Sequence, residues 1–160
     1  MLTDQDIKHL RRAVDLAKEA LDKGDAPFGS LLVSGDGRVL KEAHNQVSGG
    51  DHTQHPEFNL ARWAADHMTE EERAKATVYT SGEHCPMCSA AHAWVGLGRI
   101  VYASSSKQLV SWMEEIGRIP GPVFNLPIEE VIREAQVEGP ALEFAEELRQ
   151  MQRAYHQKQD

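Results

Sequence analysis

The sequence predicts an α/β fold in which helices cover a mixed β-sheet. Segments with helical spacing alternate with short apolar segments of strand length, in the order α-β-β-α-β-α-β-α. The chain has 160 residues, which suits one domain, and neither an internal repeat nor a linker divides it. We therefore expect residues 1–160 to form a single domain. Its length allows burial of roughly 70% of the unfolded chain's surface, so folding needs no disulfide.

The first half of the chain predicts a helix followed by a β-hairpin. Over residues 4–23, apolar side chains recur at three- and four-residue steps, with Thr3 as a plausible N-cap and Gly24 as the end of the helix. The two apolar or alternating segments 27–34 and 38–44 flank a Ser-Gly-Asp-Gly turn. That pattern is typical of two antiparallel strands joined by a tight turn.

The remaining elements follow from the same two periodicities. Residues 45–54 and 117–127 are rich in polar residues, Gly or Pro and predict loops, while 128–138 is ambiguous between helix and strand. The predicted helices are 56–67, 89–96, 108–116 and 141–156, and the predicted strands are 77–81 and 99–104. In folds of this class, sites form at the carboxyl ends of strands, where helix N-termini also point.

The composition predicts a soluble, cytoplasmic protein and weighs against a polyanion as its main partner. Seventeen Lys and Arg against 25 Asp and Glu give a formal charge of −8, whereas nucleic-acid-binding proteins usually carry a basic face. The acidic start Met1–Asp6 does not resemble a signal peptide. No run of apolar residues approaches the ~18 that a membrane span needs.

The cysteines Cys85 and Cys88 form a Cys-x-x-Cys pair, which in a reducing compartment indicates metal binding or redox chemistry. His55 precedes them by one predicted strand, and one nitrogen with two sulfurs suits a catalytic zinc site. Three protein ligands leave the fourth position of the metal for water. Pro56 and Pro86 are typical of the first turn of a helix, so both ligand segments are predicted at helix N-termini.

Glu57 is the candidate proton carrier, because it lies two residues from His55 and can reach the open side of the metal. Three other histidines compete with His55 as the ligand: His52, His84 and His92. His92 lies one helical turn after Cys88 and more often would pack in the core. No further Cys or His pair completes a structural four-ligand site, which favours a catalytic zinc.

These residues resemble the zinc-dependent cytidine/deoxycytidylate deaminase superfamily, whose signature is H-x-E followed by P-C-x-x-C. Further resemblance lies at Ala26–Ser30, His44–Asn45, Thr80–Ser81 and 98–103, so residues 30–105 are covered strongly and the ends weakly. The most similar branch contains guanine deaminases, cytosine deaminases and tRNA adenosine deaminases. The resemblance implies a three-layer α/β/α sandwich with a five-stranded mixed sheet, one zinc ion per chain, and a homodimer or larger assembly.

The resemblance also implies the substrate contacts. Asn45 would hydrogen-bond the base, Phe28 would wall the pocket, and the backbone carbonyl of Ser81 would accept a hydrogen bond from the amine. Two residues depart from the family pattern. Pro56 replaces the usual Ala and has no N–H to hold a substrate. His84 replaces the usual Pro before the first Cys and places a titratable group beside the metal, as a candidate binding residue.

The sequence therefore predicts hydrolytic deamination of a free nucleobase or a base-like ring such as guanine, cytosine or an aminotriazine. Two alternatives remain: a tRNA-specific adenosine deaminase, and a catalytically silent, zinc-stabilised binding module. The C-terminal helix carries three positive charges, which is a weak footprint for RNA. Four further residues stay open, Trp94 and Trp112 as stacking partners and Glu114 and Glu143 as a second proton carrier.

Overall fold

The structure, a computed structural model, describes residues 1–159. Short 3₁₀ turns at 47–49, 128–130 and 142–144 join longer elements. In chain order, the helices and strands are α1 (Asp4–Asp22), β1 (Gly29–Val33), β2 (Val39–His44), α2 (Pro56–His67), α3 (Glu70–Lys75), β3 (Thr77–Gly82), α4 (Pro86–Trp94), β4 (Arg99–Ser104), α5 (Ser106–Glu115), β5 (Val137–Glu138) and α6 (Ala145–Gln157).

The five strands form one mixed sheet in the order β2-β1-β3-β4-β5. Strand β1 runs antiparallel to both of its neighbours, whereas β3, β4 and β5 are parallel. Alternate side chains of the strands enter two different core clusters. Leu31 and Tyr79 pack with α1 and α6 on one face, and Leu32 and Val78 pack with α2 on the other. The predicted three-layer α/β/α sandwich with a five-stranded mixed sheet is confirmed.

Helix α1 begins where its sequence predicts, because Thr3 caps it. The Thr3 hydroxyl accepts a hydrogen bond from the Asp6 N–H, and the Asp6 carboxylate accepts one from the Thr3 N–H. Its apolar face then lies so close to β1 that a side chain at Gly29 has no room: a Cβ there would sit 2.4 Å from the Ala13 carbonyl oxygen. This contact fixes the start of β1 against the helix.

The structure has two elements beyond the five helices and four strands that the sequence predicts, and it corrects several bounds. Helix α3 was missed, although Thr69 and Glu72 form a capping box at its start. The ambiguous segment 128–138 contains a 3₁₀ turn followed by the short strand β5. Helix α4 begins at Pro86 rather than at residue 89, since proline fits the first turn, and α6 begins at Ala145 rather than at 141.

Buried Asp6 ties the start of α1 to the sheet. It accepts hydrogen bonds from the Tyr79 hydroxyl at 2.7 Å and from two nitrogens of Arg99 at 2.9 Å. Arg99 also bonds the Glu138 carboxylate of β5 at 2.7 Å. The hydrogen bonds from Arg99 hold the pKa of the Asp6 carboxyl well below its usual range. One carboxylate therefore joins α1 to β3 and β4.

We expect Asp6→Asn to lower the free energy of unfolding by about 1–3 kcal/mol at pH 7, since it weakens buried charged hydrogen bonds. The folded pKa is depressed, so this stabilisation is fully present above the unfolded pKa of about 3.9 and is lost as pH falls through the folded value. Urea titrations at several pH values measure it, with exposed Asp4→Asn as the matched control. Equal denaturation midpoints for the two variants would contradict the role of Asp6.

Among residues 1–159, no helix is both long and apolar enough to cross a membrane.

Candidate active site

The side chains of His55, Cys85 and Cys88 meet at one edge of the sheet. His55 Nδ1 lies 3.6 Å from each cysteine Sγ, and the three potential ligand atoms all lie within 4.8 Å of one another. His55 is the N-cap of α2 and Cys85 the N-cap of α4. Cys88 lies in the first turn of α4 and is fully buried. The two helix starts that the prolines mark therefore bring the predicted ligands together.

The donor set and its spacing fit zinc. Zinc bonds of about 2.0 Å to nitrogen and 2.3 Å to sulfur, at a tetrahedral angle, place the two ligand atoms about 3.6 Å apart. The His55 Nδ1–Sγ distances have that value. A fourth tetrahedral position is left for a water molecule or a substrate. The three side chains are therefore close enough together to hold one zinc ion.

The electrostatics of the cluster favour a bound cation. The thiol of Cys88 donates a hydrogen bond to Cys85 and, with further help from His55, lowers the pKa of Cys85 to about 4. The same bond raises the pKa of Cys88, because the donor would lose its proton next to a thiolate. The bond between His55 and Cys85 raises the pKa of the His55 imidazole. A negative charge is thus shared among ligand atoms, which a divalent metal would neutralise.

The competing histidines do not join this cluster. His52 is exposed, and His92 Nε2 forms a 2.7 Å hydrogen bond with the Gly98 carbonyl. The His84 ring is 1% exposed and contacts the His92 ring edge-on, with centroids 5.4 Å apart. Burial lowers the pKa of both rings, so both are neutral at pH 7.

Glu57 is buried beside the ligand cluster, on the first turn of α2. Its Oε1 lies 2.9 Å from the Ser30 hydroxyl and 2.8 Å from the Thr80 hydroxyl. Removal from water raises the pKa of this carboxyl above its usual range. A buried carboxyl with a raised pKa next to a metal site is suited to accept and return a proton.

Backbone hydrogen bonds tie the Asn45 loop to the segment that precedes His55. It follows the last residue of β2, its N–H donates to the Phe28 carbonyl, and the next residue, Gln46, donates to the Gln54 carbonyl at 3.0 Å. Gln54 directly precedes His55. Asn45 is 2% exposed, and its Oδ1 accepts the Val47 N–H. The amide NH₂ is then the group that remains to donate to a ligand.

Phe28 and Ser81 lie at the ends of the two central strands. The Phe28 ring stands over Gly82, where an added Cβ would come within 3.1 Å of it. The Ser81 carbonyl accepts a 2.8 Å hydrogen bond from the Ser104 hydroxyl, and a carbonyl oxygen has a second lone pair to offer. His84 has no hydrogen-bond partner on either ring nitrogen among the described residues.

The other open candidates lie on the surface or in the core. Glu114 and Glu143 are exposed, Trp94 is 88% exposed at the end of α4, and Trp112 packs against the core beneath α1 and α6. Sequence reasoning missed the two hydroxyls that contact Glu57. The available signal was a polar residue inside an otherwise apolar strand, Ser30 before Leu31–Val33, but its partner depends on a strand pairing that the sequence does not specify.

A sandwich that carries a His/Cys/Cys cluster and a buried carboxylate at two helix N-termini defines a metal-dependent hydrolytic enzyme. Residues 3–104 match the family model described as the cytidine and deoxycytidylate deaminase zinc-binding region. The chain therefore belongs to this family, and it is a zinc-dependent hydrolytic deaminase. The predicted superfamily and cofactor are confirmed.

Similar proteins act on different substrates. The chain is 34% identical over 119 residues to a probable cytosine deaminase of Schizosaccharomyces pombe, covering 74% of this chain and 72% of that protein. It is 36% identical over 97 residues to a guanine deaminase of Bacillus subtilis, covering 59% and 62%. A solved tRNA:A34 deaminase has a TM-score of 0.56 and 29% identity, covering 62% of this chain and 76% of that one.

Proposed function

We propose that this enzyme deaminates a free nucleobase or a base-like ring, such as guanine, cytosine or an aminotriazine, and releases ammonia. The observation that carries the proposal is the position of Asn45. It is buried, the next residue bonds the Gln54 carbonyl directly before His55, and its amide NH₂ is left to donate. A ring beside the metal ligands would meet this amide. The similarity to a cytosine and a guanine deaminase supports the same substrate class.

The chemistry requires a nucleophilic water and a proton carrier. Zinc held by His55, Cys85 and Cys88 supplies a Lewis acid that makes a water molecule nucleophilic near neutral pH. Glu57 takes one proton from the attacking water and delivers it to the ring nitrogen. As the ring C=O forms and the C–N bond breaks, Glu57 takes the second proton from that oxygen and delivers it to the departing amine, which leaves as ammonia. Burial of Glu57 keeps bulk water from competing for those protons.

The remaining contacts would orient the ring. The Asn45 amide donates to a ring acceptor, Phe28 packs against the ring, and the Ser81 carbonyl accepts from the exocyclic amine. His84 lies next to Cys85 in sequence, and we assign it to the same pocket because its ring nitrogens are buried and unpartnered among the described residues. Pro56 offers no N–H, so substrate contacts at that position come from side chains.

A second candidate, deamination of adenosine in tRNA, is favoured by the similarity to the tRNA:A34 deaminase. The charges of the C-terminal helix weigh against it. Arg149 pairs with Glu115 at 2.8 Å, and Arg153 lies 3.8 Å from the same carboxylate. Both arginines of this helix are thus offset by acidic neighbours, and the formal charge of the chain is −8. Phosphate binding needs unpaired positive charge.

The substrate class is tested by ammonia release from a panel of rings. The zinc-loaded protein is incubated with guanine, cytosine, isocytosine, adenine, isoguanine, 5-azacytosine, ammeline and the corresponding nucleosides. We expect release from at least one free base and a lower kcat/KM for its nucleoside, because the proposed pocket binds the ring alone. Release from nucleosides alone would contradict the proposal.

Asn45 provides a separate prediction. We expect Asn45→Asp to lower kcat/KM for the free base by about tenfold or more, since it removes a donor while its oxygen still accepts from Val47. Asn45→Ala loses both contacts, so it should lower kcat/KM as well and should also lower the thermal midpoint. If Asn45→Asp has wild-type kcat/KM, Asn45 does not bind the ring.

A cytoplasmic homodimer remains a prediction of the sequence. Large apolar side chains on the surface support self-association, since Trp94 and Phe124 are each 88% exposed. Light scattering coupled to size-exclusion chromatography measures the mass directly.

A further inference from the structure

Ser30 and Thr80 form a buried hydroxyl pair between two strands. They are directly paired in the antiparallel register of β1 and β3, and both are 0% exposed. Their oxygens lie 2.8 Å apart, and both contact the same atom, Glu57 Oε1. We propose that this pair positions the Glu57 carboxyl for proton transfer. The inference rests on the proposed role of Glu57.

The neighbouring residues show what the sheet would otherwise place here. Leu32 and Val78 are the next residues on the same face, they are also a cross-strand pair, and both pack in the apolar core beneath α2. Apolar side chains at positions 30 and 80 would continue that layer and pack against it. Burying two hydroxyls instead costs free energy unless each finds a hydrogen-bond partner. The Glu57 carboxyl is the partner that the two hydroxyls share.

The hydroxyl contacts involve only one of the two carboxylate oxygens of Glu57. Both hydroxyls approach Oε1, whose position is thereby fixed from two strands of the rigid sheet. Neither hydroxyl bonds Oε2, and the Glu57 carboxyl also contacts the Cys88 thiol of the ligand cluster. A carboxylate held at one oxygen keeps its other oxygen within a narrow range of positions, which is the requirement for efficient proton transfer.

Each hydroxyl also has a second acceptor. Thr80 can donate to the Gly82 carbonyl at 2.9 Å, and Ser30 can donate to the Thr80 oxygen. Both hydroxyls can therefore rotate and stay hydrogen-bonded whether or not they donate to Glu57. The heavy atoms of the site need not move while protons are passed on. Ser30 and Thr80 are thus positioning residues rather than catalytic ones.

The test compares isosteric variants that differ in one hydroxyl. Thr80→Val removes the hydroxyl and keeps the shape, whereas Thr80→Ser keeps the hydroxyl. We expect Thr80→Val and Ser30→Ala each to lower kcat by about ten- to a hundredfold with KM within about twofold, because the base contacts are untouched. Thr80→Ser should recover most of kcat. Thr77→Val, on the same strand but away from Glu57, serves as the matched control.

Zinc content and thermal midpoint are measured for every variant, so a folding defect is recognised. If Thr80→Val proves unstable, Ser30→Ala provides the same comparison from the other strand. Wild-type kcat in folded, zinc-loaded Ser30→Ala and Thr80→Val would overturn the inference. Equal losses of kcat in Thr80→Val and Thr80→Ser would also overturn it, since shape rather than the hydroxyl would then matter.

A Glu57→Gln variant in the same series separates the inference from the proposed function. If Glu57→Gln is inactive while the hydroxyl variants behave as wild type, Glu57 acts alone and only the positioning inference fails. If Glu57→Gln is active, the proposed mechanism fails first.

Discussion

Glu57→Gln should abolish most ammonia release while leaving one zinc ion bound per chain. Gln has the shape of Glu and can still accept from Ser30 and Thr80, so the fold and the ligand cluster should persist. It cannot accept and return a proton at neutral pH. Positioned proton transfer typically contributes 10²–10⁴-fold to a rate. We therefore expect kcat to fall by about that factor.

The measurement is ammonia release at saturating free base, with metal content determined on the same sample. Exposed Glu70→Gln at the start of α3 is the control and should retain wild-type kcat. Survival of ammonia release in Glu57→Gln would show that another group carries the proton. Exposed Glu114 and Glu143 would then be examined as carriers.

Removing a ligand should remove zinc and activity together. We expect Cys85→Ser, Cys88→Ser and His55→Ala to bind far less than one zinc per chain and to lose ammonia release, because each takes one of three protein ligands from the metal. Exposed His52→Ala, only three residues before His55, is the matched control and should keep both. Metal analysis after gel filtration, followed by activity, measures the effect.

Extracting zinc from the wild-type protein with a chelator tests the zinc requirement without any substitution. Activity should disappear when a chelator extracts the metal and return when zinc is added. The thermal midpoint should fall without zinc, since a ligand that binds only the folded state stabilises it. The helices α2 and α4 each present ligands at their first turn, so their packing should loosen first. Full activity in metal-free protein would contradict the assignment of zinc as the catalytic metal.

The sequence predicted most of what depends on local pattern. The residues of α1, the β1–β2 hairpin and the start of α2 follow from spacing, caps and turn residues. The His-x-Glu and Cys-x-x-Cys segments predicted the zinc site. The cluster of His55, Cys85 and Cys88 has the predicted members. Even the first residue of α4 was implied by Pro86, although apolar spacing alone placed the helix three residues later.

What the sequence did not predict depends on contacts between distant segments. Strand β5 has two residues and no apolar alternation, and it is a strand only because β4 pairs with it. The hydroxyls of Ser30 and Thr80 meet at Glu57 because β1 and β3 pair in one register out of several. The burial of His84 against His92 likewise depends on how α4 packs.

The most direct test of the account compares a free base with tRNA on one zinc-loaded preparation. Ammonia release from the base panel and inosine formation in a tRNA anticodon stem-loop are measured in parallel, with Glu57→Gln as the blank. We predict release from at least one free base, absent in the blank, and no inosine above the blank. Inosine formation without ammonia release from any free base would contradict the proposed function and would identify the enzyme as a tRNA-specific adenosine deaminase.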